Sequence, residues 1–252
     1  MAIKAAHEKI ERIRFLQVPI DIVNPDDMET IIQDLSEDQG KHQIILLNLW
    51  DVLRTRWDKN FKAAVNDASL VLPVSKGIQQ GIHFLYKKQA HRYNPFDFVI
   101  RLLGILEKHK KSLYILGNHP AVMQKIEKNL KDSFPGINLV GRYAGYFTQH
   151  MEDNVTIAIK KASPSLLLVG SGLKGHDKWI HKQKPKFNTG LYLWCADFYR
   201  VTAGKERRIP QKSFERGTYS LGTLLRKPWR VFRAFVYFYY LFLLLIYKVR
   251  KL

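Results

Sequence analysis

Strand-like and helix-like segments alternate along most of this chain, and that alternation restricts its fold more than any other feature. Four segments are nearly continuous apolar runs, as expected for parallel strands that are covered on both faces. They lie at residues 43–49, 112–116, 165–169 and 190–195. Because helices with apolar faces separate these strands, we expect an α/β fold with an open, mostly parallel, Rossmann-like sheet and helices on both of its faces.

The remaining elements follow from apolar spacing and from turn residues. Asn24 is the expected N-cap of a helix that has Pro25 at its first position. The expected strands cover residues 17–22, 43–49, 70–72, 112–116, 137–141, 165–169 and 190–195, and the expected helices cover residues 25–35, 51–66, 75–86, 95–109, 120–133, 154–162 and 176–183, with one more from Ala196.

An uninterrupted apolar and aromatic run of 14 residues, 234–247, lies near the end of the sequence. It is shorter than the roughly 20 residues that cross a bilayer, and basic residues precede and follow it. We interpret it as a helix that lies in a membrane surface, held by apolar burial and by attraction to anionic lipid. Two alternatives stay open: the helix packs on the core or on a partner subunit, or tilting and snorkelling let it span the bilayer.

Positive charge is concentrated in the same part of the chain. The formal net charge is +19, and residues 199–252 contribute 13 Lys and Arg against 2 Asp and Glu. We therefore expect a nucleotide-sugar-binding core at residues 1–204 and a basic, helical, membrane-docking appendage at residues 205–252. The charge suits anionic lipid and phosphate-rich ligands. No RNA-recognition, zinc-finger or helix-turn-helix signature accompanies it, so no nucleic-acid partner is expected.

Cysteine usage and the first residues indicate the compartment. The chain has one cysteine, Cys195, which excludes an internal disulfide and fits a reducing cytoplasm. The N-terminal segment contains no apolar signal core. We therefore expect a peripheral protein on the cytoplasmic face of the inner membrane.

Candidate binding residues follow the strands, because ligands of open α/β sheets bind outside the carboxyl ends of the strands. Asn48, Ser75 and Asn118 are polar residues at such positions. Gly170 and Gly172 belong to a glycine-rich turn whose backbone N–H groups suit phosphate. The turn matches neither a Walker A motif nor a full dinucleotide fingerprint, so a tight packing turn is the alternative.

Two pairs of titratable residues are further candidates. Arg92 and Asp97 flank a turn, where they either grip a phosphate and a polyol or form an ordinary ion pair. His176 and Asp177 begin a helix, and a helix N-terminus disfavours the imidazolium ion. His176 is therefore a candidate neutral base, and the alternative is simple capping by Asp177. The nine histidines show no metal-ligand spacing, so neither a metal nor a cofactor is expected.

Seven short motifs resemble the WecG/TagA/CpsF family of bacterial glycosyltransferases in their order and spacing, over roughly residues 17–233. The motifs are A-S-L-V-L-P (68–73), L-G-N-H-P (116–120), F-P-G-I-N-L-V-G (134–141), G-Y-F (145–147), L-L-V-G-S-G (167–172), K-W-I (178–180) and A-G-K-E-R-R-I-P (203–210).

The resemblance implies a specific reaction. Members of this family transfer an N-acetylmannosamine-type sugar from a UDP-sugar donor to a polyprenyl-diphosphate-linked acceptor, with inversion and without a metal. Their basic C-terminal appendage docks on the membrane and closes over the donor diphosphate, and some members form trimers. We therefore expect a membrane-surface glycosyltransferase of cell-envelope polysaccharide synthesis, and a homo-oligomer is possible.

The chain departs from the family pattern at positions that matter for the chemistry. Val74 replaces the Asp that is the family's proposed general base, and His176 replaces a Gln. Leu46 replaces a Thr, Pro95 a Gly, and Thr223 an Arg of the appendage. The positions that match the pattern include Asn48, Arg92, Asp97, Arg230 and Arg233.

The loss of a carboxylate at Val74 leaves two readings of the function. Deprotonation of the acceptor by a general base contributes roughly 10²–10⁴-fold to such a transfer. His176 is the first candidate to replace the missing base and Asp97 the second, while Arg230 and Arg233 would stabilise the leaving UDP. The alternative is a catalytically inactive family member that binds a nucleotide sugar or lipid, or acts as a scaffold.

Overall fold

A six-stranded parallel sheet forms the centre of the protein. The computed structural model describes residues 9–217 and 233–250. The sheet has the strand order β4-β3-β8-β7-β5-β6, and all neighbouring pairs are parallel. The predicted α/β class and parallel sheet are confirmed. The strands are β1 (Ile10–Phe15), β2 (Val18–Val23), β3 (Lys41–Leu47), β4 (Leu70–Pro73), β5 (Ser112–Leu116), β6 (Asn138–Tyr143), β7 (Leu166–Val169) and β8 (Gly190–Trp194).

Helices cover both faces of this sheet, as the sequence predicts. Alternate residues of one strand face opposite layers, so Ile44 and Ile45 belong to two different hydrophobic clusters. The helices of the described part of the chain are α1 (Met28–Glu37), α2 (Leu49–Arg54), α3 (Lys59–Asn66), α4 (Lys76–Tyr86), α5 (Pro95–Lys108), α6 (Pro120–Ser133), α7 (Gln149–Ala162), α8 (Asp177–Gln183), α9 (Ala196–Thr202), α10 (Gln211–Arg216) and α11 (Arg233–Arg250).

An antiparallel hairpin of β1 and β2 precedes the sheet, and the sequence analysis missed its first strand. The turn places both Leu16 (φ 49°) and Gln17 (φ 70°) in the left-handed region, which type I′ hairpin turns require. Such turns normally carry Asn-Gly or Asp-Gly, so Leu-Gln gives no recognisable signal. A bidentate ion pair from Arg12 to the buried Asp21 joins the two strands, and Val71 N donates to Asp21 Oδ2 (2.7 Å). That last bond connects the hairpin to β4.

The helix predicted at residues 51–66 is in fact two helices. Asn48 caps α2 through a capping box, in which its side chain accepts from Asp51 N while Asp51 Oδ2 accepts from Asn48 N. Asp58 caps α3 by accepting from Phe61 N (2.9 Å). The Asp58 cap satisfies a backbone donor that a continuous helix would use internally, and a second helix therefore begins there.

The predicted C-terminal helix is present as α11, and it packs on α4 of the core. Tyr240 Oη donates to Gly77 O (2.6 Å), and Tyr240, Leu243 and Leu244 are buried in the cluster that covers this side of the sheet. The opposite face of α11 is exposed and apolar, with Phe238 at 69% exposure. The alternative in which this helix packs on the core therefore holds for one face of α11. Within residues 9–217 and 233–250, no helix has the length and apolarity needed to cross a membrane.

Candidate functional site

The carboxyl ends of β3, β4 and β8 surround a small cavity of about 290 Å³, which we call the strand-end cavity. The parallel sheet brings these ends together although their residues are far apart in the sequence. Val74 lies in the wall, where the family resemblance expects a carboxylate. The polar wall residues are Asn48, Asp51, Arg54, His176, Asp177, Asp197 and Arg200.

The imidazole of His176 is held against an aromatic ring. Its ring stacks on Trp194 at the end of β8, with centroids 4.3 Å apart and an interplanar angle of 23°. The backbone of His176 is left-handed (φ 55°), which is uncommon for a residue with a Cβ. Burial lowers the pKa of His176, and the charges of Arg54 and Lys178 lower it further. The imidazole is therefore neutral at neutral pH and can accept a proton.

Asp51 gives the strand-end cavity a carboxyl group that the sequence analysis did not name. It lies one helical turn after Asn48, in the capping box of α2. Burial raises the pKa of Asp51 to about 6, against the lowering effects of the Asn48 backbone N–H and the Arg54 charge. The signal was present in the sequence, since an acidic residue three positions after an N-cap Asn is a capping-box pattern.

Asp177 is the most deeply buried carboxyl group in the cavity wall, at 7% exposure. Its Oδ1 has no hydrogen-bond partner among the described residues. Burial, which is the larger effect, and the neighbouring Asp51 charge together raise the pKa of Asp177 to about 8. The N-cap residue of α8 is His176, whose side chain makes no cap bond.

The two arginines of the cavity wall are engaged in ion pairs. Arg54 donates to Asp58 Oδ2 through Nε (3.1 Å) and Nη2 (2.8 Å), and Lys178 Nζ reaches the same oxygen (2.9 Å). Although desolvation opposes it, hydrogen bonds from Phe61 N and these cations hold the pKa of Asp58 at about 2. The other arginine, Arg200, pairs with Asp197 and Glu206. Cationic charge at this cavity is thus largely compensated.

Arg92 and Ser75 lie behind Val74 and outside the cavity lining. Arg92 is 6% exposed, and its Nη2 donates to Phe214 O (2.6 Å), with Nη1 3.5 Å from Val74 O. Its guanidinium also lies over the Phe214 ring at 4.5 Å. Arg92 thereby fastens α10 of the basic segment to the end of β4. Ser75 is the N-cap residue of α4, and its buried Oγ has no partner among the described residues.

The other predicted strand-end residues lie beyond β8, at the ends of β5 and β7. Asn118 N donates to Ser171 O (2.6 Å), and Asn118 O accepts from Gly145 N (2.7 Å), so these loops are in close backbone contact. A Cβ on Gly170 would lie 2.7 Å from the Tyr199 ring. Tight packing against Tyr199 therefore explains why position 170 is a glycine. A role of this turn in phosphate binding stays a prediction.

A larger open groove lies beside the same glycine-rich loop, with a volume of about 1160 Å³. Gly172, whose φ of 103° suits glycine, belongs to its wall together with the exposed Tyr146. Lys174, Lys178 and Lys182 line the groove together with Glu152, and Lys178 and Lys182 form ion pairs with Asp58 and Glu152. The groove therefore combines an aromatic surface, backbone groups and positive charge.

Asp97 does not belong to the lining of either cavity. Asp97 begins α5 beside the strand-end cavity, and its Oδ1 pairs with Arg208 Nε (2.8 Å). Arg233 begins α11, whereas Arg230 and Thr223 lie outside the described residues. The fold thus brings Asn48, Val74 and His176 together at one cavity.

The chain is similar to known glycosyltransferases. Residues 13–252 match the sequence model described as the glycosyl transferase WecG/TagA/CpsF family. One relative is an N-acetylglucosaminyldiphosphoundecaprenol N-acetyl-beta-D-mannosaminyltransferase of Bacillus subtilis strain 168, 22% identical over 175 residues, covering 69% of this chain and 67% of the relative. A protein of the same description from Bacillus spizizenii strain W23 is 24% identical over 150 residues, covering 60% of this chain and 58% of the relative.

Proposed function

Because this chain belongs to the WecG/TagA/CpsF family of glycosyl transferases, we propose that it transfers a sugar from a UDP-sugar to a polyprenyl-diphosphate-linked acceptor in cell-envelope polysaccharide synthesis. The match covers residues 13–252, and this is the observation that carries the proposal. The names of the two relatives describe transfer of N-acetylmannosamine to a lipid-linked N-acetylglucosamine. An N-acetylmannosamine-type donor sugar is therefore the first to test.

The larger groove supports a site for the uridine diphosphate of the donor. Lys174 supplies charge for phosphate oxygens, Lys178 and Lys182 could do so by exchanging their ion pairs with Asp58 and Glu152, and Tyr146 offers an exposed ring on which a base can stack. The strand-end cavity lies on the other side of the loop that carries Gly172 and His176. A donor that crosses this loop would place its sugar beside His176.

His176 is the proposed proton acceptor of the transfer. The acceptor hydroxyl oxygen bonds to the anomeric carbon while the bond from that carbon to the UDP oxygen breaks, and UDP leaves with the bonding electron pair. The hydroxyl proton passes to a nitrogen of His176, whose lowered pKa keeps it unprotonated. Asp97 is the second candidate, but it would have to exchange its ion pair with Arg208.

The exposed face of α11 supports action at an anionic membrane surface. Its outward side chains are large and apolar, and Trp50 and Trp57 form a second exposed aromatic group, at 52% and 56% exposure. Arg56 Nη2, next to Trp57, contacts Tyr247 Oη of α11 at 3.3 Å, so the two surfaces are adjacent. Tryptophan and tyrosine favour the interface between lipid and water. The proposed location is the cytoplasmic face of the membrane, and self-association stays a prediction.

A second candidate function follows from Val74. This side chain cannot take a proton, and it lies in the cavity where the resemblance expects the family's base. If no other group has replaced that base, the protein binds its nucleotide sugar or lipid without turnover, as a binding or scaffold protein.

An assay with radiolabelled UDP-N-acetylmannosamine and a polyprenyl-diphosphate-linked N-acetylglucosamine in detergent tests the proposal. We expect turnover by the wild-type protein and a loss of 10²-fold or more in kcat for His176→Ala, with the donor KM nearly unchanged. His150→Ala, on the surface at α7, is the matched control and should retain wild-type turnover.

Three results have different meanings. Turnover that survives His176→Ala refutes the proton-accepting role of this residue. Donor binding without turnover across a panel of UDP-sugars favours the non-catalytic function. Absence of both binding and turnover contradicts a role in UDP-sugar chemistry altogether.

A further inference from the structure

We infer that Asp177 is a sugar-binding residue whose carboxyl group donates a hydrogen bond to an oxygen of the donor's sugar ring inside the strand-end cavity. This inference rests on the proposed function, and it concerns a residue other than the proton acceptor. The contact between Asp177 and the sugar determines which part of the donor enters the small cavity.

The buried carboxyl group of Asp177 carries an oxygen that no described residue pairs. Asp177 is 7% exposed and lines the strand-end cavity, and its Oδ1 has no partner among the described residues. A buried polar atom without a hydrogen bond costs roughly 1–3 kcal/mol, so such atoms in native proteins generally have a partner. A ligand in the cavity would supply that partner.

A side-chain hydrogen bond from Gln43 lowers the pKa of the Asp177 carboxyl group, but its Oδ1 stays unpaired among the described residues. Gln43 is buried beneath the cavity, but its Nε2 donates to the backbone carbonyl of Asp177 (3.0 Å). The Oε1 of Gln43 also has no partner among the described residues.

The protonation state of Asp177 suits a hydrogen-bond donor. Burial and the nearby Asp51 raise its pKa to about 8, so that the neutral acid predominates at neutral pH. The groups around it are Asp51 and Arg54 from α2, Gln43 from β3, His176 before α8, and Asp197 and Arg200 from α9. Of these, Asp51 raises the pKa, whereas Gln43 and Arg54 lower it by less than burial raises it.

The charge of the cavity selects a sugar over a diphosphate. The two arginines of the cavity wall, Arg54 and Arg200, are paired with Asp58 and Asp197, and Asp51, with a pKa of about 6, adds a carboxyl group that is mostly ionised at neutral pH. A diphosphate would add negative charge and be repelled here, whereas a neutral polyol finds both hydrogen-bond donors and hydrogen-bond acceptors. The volume of about 290 Å³ lies at the lower end of ligand pockets, which suits a single sugar ring.

The test compares the affinity for UDP with that for UDP-N-acetylmannosamine by isothermal titration calorimetry of the full chain. The ratio of the two dissociation constants isolates the sugar contact. We expect Asp177→Ala to weaken UDP-N-acetylmannosamine about tenfold without changing the affinity for UDP. Asp177→Asn keeps a donor and should stay within about threefold of wild type. Asp153→Asn, an exposed carboxyl group on α7, is the control.

A pH series keeps the test decisive if Asp177→Ala does not fold. Between pH 6.5 and pH 9 the Asp177 carboxyl group of the wild type loses its proton and can no longer donate a hydrogen bond. The affinity for UDP-N-acetylmannosamine relative to that for UDP should therefore fall by about tenfold. The Asp177→Asn variant should show no such fall.

Two results overturn the inference. One is an unchanged ratio in Asp177→Ala, and the other is an identical pH response of wild type and Asp177→Asn. If the wild type binds UDP but the sugar contact is independent of Asp177, this inference fails while the proposed function stands. If the wild type binds neither compound, both fail.

Discussion

Burial acts on the titratable residues of the strand-end cavity in opposite directions according to the charge of their ionised forms. It raises the pKa of Asp51 and Asp177 and lowers the pKa of His176. In each case the neutral form is favoured, because a low-dielectric site disfavours a charge. The cavity therefore offers a neutral base and a neutral acid side by side at neutral pH.

Stability should consequently depend on pH through Asp177. The folded protein holds this proton up to about pH 8, whereas the unfolded chain releases it near the ordinary Asp value of 3.8. The folded state binds more protons in that window, so stability falls as pH rises, by up to about 1.4 kcal/mol per pH unit. The raised pKa of Asp51 also makes stability fall as pH rises, but only up to about pH 6. The lowered pKa of His176 makes stability fall as pH drops below 6.5.

The window from pH 6.5 to pH 8 therefore isolates Asp177. We expect wild type to lose up to about 2 kcal/mol relative to Asp177→Asn across it, measured by urea denaturation of both proteins at the two pH values. The contributions of the other titratable groups to the free energy of unfolding are the same in both proteins and cancel in the difference. A stability difference that does not change with pH would contradict the raised pKa.

At the scale of elements, α11 and α4 approach closely because α4 carries glycine where α11 crosses it. A Cβ on Gly81 would collide with the Tyr240 hydroxyl and would lie 2.6 Å from Phe15 Cζ. Tyr240 Oη bonds to Gly77 O one helical turn earlier. Small side chains on α4 therefore decide where the C-terminal helix docks.

Alanine substitutions at two helical glycines should have opposite effects on stability. Gly81→Ala overpacks the contact between α4 and α11 and should cost about 1–3 kcal/mol. Gly104→Ala, in α5, meets no described atom within 4 Å and should stabilise by about 0.5–1 kcal/mol. Thermal or urea unfolding of the two variants measures both. Equal stabilities would show that α11 does not pack on α4 as described.

At the scale of the whole molecule, α11 and the pair of tryptophans form adjacent exposed apolar surfaces. The outward face of α11 carries exposed phenylalanine and leucine side chains, and Trp50 and Trp57 lie near its C-terminal end through the contact between Arg56 and Tyr247. The inward face of the same helix completes a core cluster. One helix thus joins the core to the surface proposed for membrane contact.

The outward face can be changed without removing the helix. Phe238→Ser, Phe242→Ser and Leu245→Ser together should leave the fold intact, because these side chains are exposed. We expect at least a tenfold loss of binding to anionic phosphatidylglycerol vesicles in a sedimentation assay, since each apolar side chain contributes roughly 1–3 kcal/mol when buried.

A control variant removes the same number of exposed apolar side chains elsewhere. Val140→Ser, Met151→Ser and Ile157→Ser lie on β6 and α7 and should leave vesicle binding unchanged. Equal binding of both triple variants and wild type would exclude the outward face of α11 as the membrane contact.

Local pattern in the sequence predicted the elements whose stabilisation is itself local or fully apolar. The bounds of β5 (Ser112–Leu116) and α6 (Pro120–Ser133) agree with the sequence prediction to the residue. The start of α5 at Pro95 also agrees with the predicted helix of residues 95–109. Patterns of this kind report which face of a segment is apolar, and that is sufficient to define a parallel sheet and its covering helices.

The tertiary structure decided the rest, because it depends on residues that are distant in sequence. The fold buries both Asp51 and Asp177, which raises both pKa values, and it brings the Asp51 charge close enough to raise the pKa of Asp177 further. Packing on α4 divides α11 into a buried face and an exposed one. Apolar periodicity fixes a helix and its stripe, but the surface that covers the stripe and the charges that meet in a cavity are properties of the folded chain.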